Sequence, residues 1–275
     1  MSTHETDTEP DTDEDSTDDD DPQFPEASPL SVIIRADRFA ETLDILRSAA
    51  DEAILRFGGD GIDVSLVDPA AVYMVRQSVN PPAFEHVGDG QFPAGVDLNA
   101  FADYIGKADS DEPIKLDFDA ETRRVNVAYG PFDRSFALID PESIRREPDM
   151  PDLELPNQMQ LDGGLLSDVV EVSAMVSDHI EIKGDPDDEC VRVIADGDRD
   201  TNTATLTDEL QTADVREHAS SLLSMDYLED IVKVMPSDAV VTVSWGEEFP
   251  VKFEWQYADG DASVTQTLAP RVQSK

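Results

Sequence analysis

Residues 136–155 read FALIDPESIRREPDMPDLEL, and this stretch decides how the rest of the chain divides. A short apolar run, Phe136-Ala137-Leu138-Ile139, gives way to Pro141, Pro148 and Pro151, with Pro156 just beyond. Proline fixes φ, lacks an N–H and pushes the preceding residue toward extended geometry, which excludes a helix or a central strand here. Flexible linkers are Gly/Ser-rich and lack spaced large apolar groups. This stretch carries Ile144, Met150, Leu153 and Leu155 beside the basic pair Arg145-Arg146. It is an extended, semi-rigid connector over 140–156 that offers apolar groups to a surface, with one unit at 30–139 and another at 157–275.

Toward the N-terminus, strand-like runs fall at 31–36, 53–57, 62–67, 72–79 and 92–96, and at 114–118, 123–128 and 132–139. A helix follows the first run, with Asp37 able to cap it and Phe39, Leu43, Leu46 and Ala50 at helical spacing. A second helix, 97–107, has Leu98, Phe101, Ala102 and Ile105 on one face. Gly58-Gly59-Asp60-Gly61 joins two strand-like runs and opens no helix, so it is a hairpin turn and not a phosphate cradle.

Beyond the connector the order returns. A strand at 158–161 leads to a helix at 164–175 with Leu165, Val169, Val172 and Val176 at helical spacing. Strands at 180–182, 190–194, 203–206 and 219–223 precede a helix at 225–234, and strands at 239–245, 251–257 and 263–268 close the series. Leu43, Leu46, Ala50 and Ile54 match Val169, Val172, Val176 and Ile180 at an offset of 126, and the second helices match at 127. The expected architecture is a duplicated α+β unit, with helices covering one face of antiparallel sheets.

Acidic residues number 62 against 20 basic, a formal charge of −42. Spread along every segment, this density reads as the hydrated surface of a protein from a salty cytosol, where screening suppresses the mutual repulsion. Residues 1–29 hold twelve acidic side chains and no Lys or Arg, and read as a disordered tail. One cysteine, Cys190, excludes an internal disulfide; no Cys/His cluster has zinc spacing, and no metal or cofactor is expected. His86, His179 and His218 stand isolated. With no catalytic constellation, an enzyme is set aside. The N-terminus has no basic n-region or apolar h-region and no apolar run is of bilayer length, so the expected location is the cytoplasm, with no membrane partner.

Several local strings carry a resemblance. Asp63-Val64-Ser65-Leu66-Val67-Asp68-Pro69-Ala70, the run Phe136 to Pro141 with its following Pro-Asp stretch, Glu247-Glu248-Phe249-Pro250-Val251, and Thr267-Leu268-Ala269-Pro270-Arg271-Val272 stand in order over 30–275. Together with the element order they resemble the sliding clamps of DNA replication, the PCNA family, in its archaeal, halophilic form. The resemblance implies two DNA-clamp domains per chain and a ring-shaped homotrimer around double-stranded DNA. It implies a processivity factor that tethers DNA polymerase, clamp loader, flap nuclease and ligase type clients through short peptide motifs, without catalysis. The matching client-pocket positions are Val67, Ala71, Val72, Ile144, Met150, Pro250, Ala269, Pro270 and Val272. The subunit joint falls at Phe132, Arg134, Phe136 and Leu138 on one copy and at Thr203 and Thr205 on the next.

One departure concerns the DNA channel. Arg38, Arg47, Lys107 and Lys233 are the only basic residues on the four helices, and Asp44, Asp103, Asp168, Glu171 and Asp230 outnumber them. Phosphate contacts weaken steeply with salt, so a closed ring in molar salt would hold DNA topologically. The alternative is a diverged, acidic clamp-like adaptor that binds client proteins without encircling DNA.

Overall fold

The computed structural model describes residues 26–145, 154–187 and 190–271. The first half runs β1 (Leu30–Arg35), α1 (Ala36–Arg47), β2 (Glu52–Gly58), β3 (Gly61–Val67), β4 (Tyr73–Val79) and β5 (Phe84–Val87). It continues with β6 (Phe92–Asp97), α2 (Leu98–Ile105), β7 (Pro113–Asp119), β8 (Arg124–Tyr129) and β9 (Phe132–Ala137). The second half repeats that succession as β10 (Asn157–Asp162), α3 (Gly163–Ala174), β11 (His179–Asp185), β12 (Cys190–Asp196), β13 (Thr201–Leu206) and β14 (Thr212–Val215). It ends with β15 (Ala219–Ser224), α4 (Met225–Lys233), β16 (Val240–Trp245), β17 (Val251–Tyr257) and β18 (Ala262–Leu268).

The repeat sharpens one expectation and corrects others. β10, α3, β11, β15 and α4 each begin 127 positions after β1, α1, β2, β6 and α2. The first helices therefore match at 127, not 126. Buried Phe39, Thr42, Leu43 and Leu46 then correspond to buried Leu166, Val169, Val170 and Ser173. Val172, expected on the core face, is 47% exposed. The valines of α3 fit two helical registers, and a buried serine, which accepts a hydrogen bond from Asn202 at 3.3 Å, hid the true face. Asp37 does not cap α1. The helix opens one residue earlier behind Arg35, and Asp37 sits in its first turn, where its charge suits the helix dipole. Asp97 does cap α2, accepting the Ala100 N–H at 2.8 Å. β5 and β14 lie where no strand was expected. Ser28 bonds to Gln91 through its N–H at 2.9 Å, so contacts to the fold begin inside the stretch read as tail.

Strands pair antiparallel throughout, in the orders β5-β1-β7-β8-β9, β13-β12-β11-β15 and β14-β10-β16-β17-β18-β4-β3-β2-β6. The nine-stranded sheet contains strands of both halves, and its seam is β18 against β4, from Ala262 opposite Val79 to Leu268 opposite Tyr73. At the seam Tyr257 ties α1 to β4: its hydroxyl lies 2.9 Å from Thr42 Oγ1, which itself donates to the Arg38 carbonyl, and it accepts from the Gln77 amide. α1 packs on α2 and α3 on α4. The core beneath them includes the fully buried Phe39, Leu43, Leu98, Phe253 and Trp245. No helix among the described residues is long and apolar enough to cross a membrane.

Candidate functional site

The connector leaves β9 by lying against the edge of β6. Ile139 N–H donates to the Gly95 carbonyl at 2.8 Å. A methyl group on Gly95 would stand 2.3 Å from the Ile139 carbonyl oxygen, so only glycine admits this approach. Asp140, at the start of the connector, pairs with Arg123 at 2.8 Å. Ile144 then turns inward over Gly95, into a groove of about 570 Å³ whose walls include Ile54, Val67, Pro69 and Arg145. Arg145 donates from one guanidinium nitrogen to the Asp68 carbonyl at 2.8 Å and the Pro69 carbonyl at 3.0 Å. Met150 and Val272 lie outside the described residues.

Asp68 is the polar centre of this region and only 5% exposed. Its Oδ1 accepts the N–H groups of Val72 (2.7 Å) and Tyr73 (2.8 Å); its Oδ2 accepts the Ala70 N–H and the Tyr227 hydroxyl, both at 3.0 Å. Burial pushes its carboxyl up, but the three backbone donors and the phenol outweigh it and hold it below the ordinary value. The loop it organises takes left-handed backbone at Ala71, φ 59°. Val72 offers its carbonyl to the Ala269 N–H at 2.9 Å. Because Val251 pairs with Leu268, Pro250 falls beside Ala269. Val67, Ala71, Val72, Pro250, Ala269 and Pro270 are thus gathered where β3, β4, β17 and β18 end. The loop before Pro250 is held by Ser221, whose hydroxyl donates to the Gly246 carbonyl at 3.0 Å, and it leaves Phe249 52% exposed.

The expected joint residues sit on two open sheet edges. β9 ends one sheet and β13 another. Phe132 is 57% exposed, Phe136 is buried against Phe101 and Tyr104, and the Arg134 guanidinium lies 4.2 Å from the Phe136 ring centre. Thr203 and Thr205 are exposed on the opposite strand face from Ala204 and buried Leu206.

The helix face is less basic than its residue types suggest. Arg38 is tied to the Ala83 carbonyl at 3.1 Å and to Asp259 at 2.9 Å. Arg47 bonds Asn99 at 3.0 Å and Asp44 at 3.1 Å, and it shares a cleft of about 590 Å³ with Lys233, Asp37, Glu41 and Asp230. Lys107 lies just past α2 and is exposed. Burial first, then Asp37, Asp238 and Asp44, raise the Glu41 carboxyl from 4.5 to about 7. A folded-state value above the unfolded one means that ionised Glu41 opposes folding above pH 7, and the opposition fades as pH falls toward 4.5. Glu41→Gln is therefore expected to raise the melting temperature at pH 8 by about 2–4 °C, for about 1 kcal/mol after discounting its exposure, and to change little at pH 5. Thermal melts at both pH values check this.

The histidines are less isolated than their sequence positions suggest. His218 Nε2 lies 3.4 Å from Asp187 and its Nδ1 3.8 Å from Asp185; His179 Nδ1 is 2.6 Å from Asp178. These are exposed or half-exposed surface pairs.

A doubled α+β unit with one internal sheet seam, sheet-ending strands in both halves and a groove beside the connector is built as a binding scaffold. No protein-family model matches the chain. It is 41% identical over 245 residues to the DNA polymerase sliding clamp of Natronomonas pharaonis, covering 89% of this chain and 99% of that one. Against the clamp of Halobacterium salinarum the identity is 40% over 247 residues, with 89% and 99% covered. The solved A. fulgidus PCNA, which carries the C-terminal region of FEN-1, is 29% identical with a TM-score of 0.84, over 90% of this chain and all of that one. PCNA from Thermococcus kodakaraensis, at 23% identity and a TM-score of 0.79, shares the fold. The chain belongs to the DNA polymerase sliding clamp family.

Proposed function

We propose that three copies of this chain close a ring around duplex DNA and tether a polymerase and other replication and repair proteins to it. The observation that carries this is the seam between β18 and β4. By the repeat, β9 is the first-half counterpart of β18, and β13 the second-half counterpart of β4. The counterparts are not paired with each other inside the chain; each ends a sheet. A second copy supplies the missing pairing.

Hairpin registers align Phe132 with Ala262, through Tyr129–Phe132 and Tyr257–Ala262, and Leu206 with Val79, through Val191–Leu206 and Ile62–Val79. Since Ala262 pairs with Val79, the repeated joint sets Phe132 opposite Leu206, Arg134 opposite Ala204 and Phe136 opposite Asn202. Leu138 continues this edge, and Thr203 and Thr205 face outward across it. Sedimentation in molar KCl tests the ring: a trimer mass supports it, and a monomer at micromolar concentration overturns it.

Residues 30–139 and 157–275 act as successive clamp domains, joined by 140–156. Arg47, Lys107 and Lys233 lie on or beside the helices that face DNA, with Arg38 bound into the protein instead. Because these contacts are few, retention on DNA is topological. A clamp loader that places the protein on circular DNA separates this from an adaptor that only binds clients. The ring works at the nucleoid, in the cytoplasm.

Clients, of which the FEN-1 C-terminal region on A. fulgidus PCNA is one, dock by a short motif over Val67, Ala71, Val72, Ile144, Pro250, Ala269 and Pro270, with Met150 and Val272 completing the site. Ile144→Asp is expected to weaken a client peptide by about 1–3 kcal/mol, as for a lost apolar anchor, and to leave the trimer mass unchanged. Peptide titration beside sedimentation checks both.

A further inference from the structure

The candidate client site draws on both halves and on the start of the connector at Ile144 and Arg145, and all three meet at one residue. The Asp68 carboxylate fixes the loop that presents Ala71 and Val72 by accepting its N–H groups at Ala70, Val72 and Tyr73. The same carboxylate accepts the hydroxyl of Tyr227, which belongs to α4 of the second half. Its backbone carbonyl, with that of Pro69, holds Arg145 of the connector. Ile144, next to Arg145, lines the same groove as Val67.

We propose that Asp68, Tyr227 and Arg145 form a positioning relay, through which α4 and the connector set the shape of the client site. This rests on the client-site reading above. Tyr227 is a positioning residue, half-buried and acting through Asp68 on the loop. Arg145 is exposed at the far end of the relay and acts on the connector. A loop carrying a left-handed alanine holds that shape only while its N–H groups are bound. Arg145 ties the described start of the connector to the loop through the Asp68 and Pro69 carbonyls.

The test uses the full chain in molar KCl and a synthetic peptide of the FEN-1 C-terminal region. Tyr227→Phe, which removes one hydroxyl, is expected to raise the peptide dissociation constant about 3- to 10-fold, the range of one net hydrogen bond. Amide exchange of Ala70, Val72 and Tyr73 should speed up in this variant, while exchange in β7 and β8 is unchanged. Arg145→Ala is expected to weaken the peptide by a similar factor, and Arg145→Lys to restore part of it. The trimer mass stays constant in all three. A mere stabilising role would move exchange across the whole fold and show no rescue by lysine. If Tyr227→Phe and Arg145→Ala both bind peptide like the parent while Val72→Asp does not, the relay is wrong and the client site stands. If Val72→Asp also binds like the parent, the client site itself is misplaced. Arg145→Ala changes only an exposed side chain, so the relay stays testable even if Tyr227→Phe folds poorly.

Discussion

A Phe132→Asp, Arg134→Asp double variant is expected to sediment as a monomer in molar KCl at concentrations where the parent is a trimer. Phe132 leaves more than half its surface uncovered beside Tyr129, with ring centres 5.4 Å apart. The Arg134 guanidinium carbon lies 4.2 Å from the Phe136 ring centre and 5.5 Å from that of Tyr104, its charge shared with two aromatic rings. In the register proposed above, these side chains would meet Leu206 and Ala204 of the next copy. Two carboxylates placed there lose an aromatic anchor and bury charge without a partner. At about 2 kcal/mol per joint, a ring with three joints loses about 6 kcal/mol, roughly 10⁴-fold in overall association. Both residues lie on an exposed edge, so the far-ultraviolet circular dichroism of the variant should match the parent's. A persistent trimer at micromolar concentration would remove β9 from the joint.

The second large effect is on folding. Asp68→Ala removes four hydrogen-bond acceptances at a site 5% exposed. The Val72 and Tyr73 N–H groups are then left inside without partners. Leaving a buried donor unpaired costs about 1–3 kcal/mol, so the expected loss is about 4 kcal/mol, a large share of the roughly 5–15 kcal/mol that holds a typical fold. The carboxyl is held below its usual value of 3.8. Its contribution is therefore complete above pH 3.8 and is lost as pH falls through the folded-state value. Denaturant titrations at pH 7 should separate parent and variant widely, and the gap should narrow below pH 4. An equal midpoint at pH 7 would show that water replaces the carboxylate without penalty.

Much of the fold was legible because burial imposes period. Apolar spacing located all four helices, and the turn at Gly58 to Gly61 was placed correctly. There Gly61 has φ 102°, and an added methyl group would stand 1.9 Å from the Val79 carbonyl oxygen. The strands that escaped, Phe84–Val87 and Thr212–Val215, are four residues long and lie at sheet edges. Half-exposed on both faces, they show no alternation to read. The helix match slipped by one because Ser173 occupies a buried position that Leu46 fills in the first half. At the candidate site, apolar positions could be named from likeness, but their support could not. Asp68 and Tyr227 are 159 positions apart and Asp68 and Arg145 77 apart, and nothing local announces that they meet. Arg145 read only as half of a basic pair.

The seam between β18 and β4 also orders events in time. β4 ends at Val79 and its partner begins at Ala262, so the 182 residues from 80 to 261 must be synthesised between them. At roughly 5–20 residues per second that is about 10–40 s, during which the nascent first half carries β4 as an unpaired edge. β9 emerges in that interval, and by the repeat it has the shape of β18. A crowded polysome therefore offers β4 of one nascent chain the wrong strand from another. Arg76, exposed on β4, is the kind of edge charge that discourages such pairing. Completing one subunit and closing the ring are the same strand-addition reaction, and the C-terminal strand decides which of them happens first.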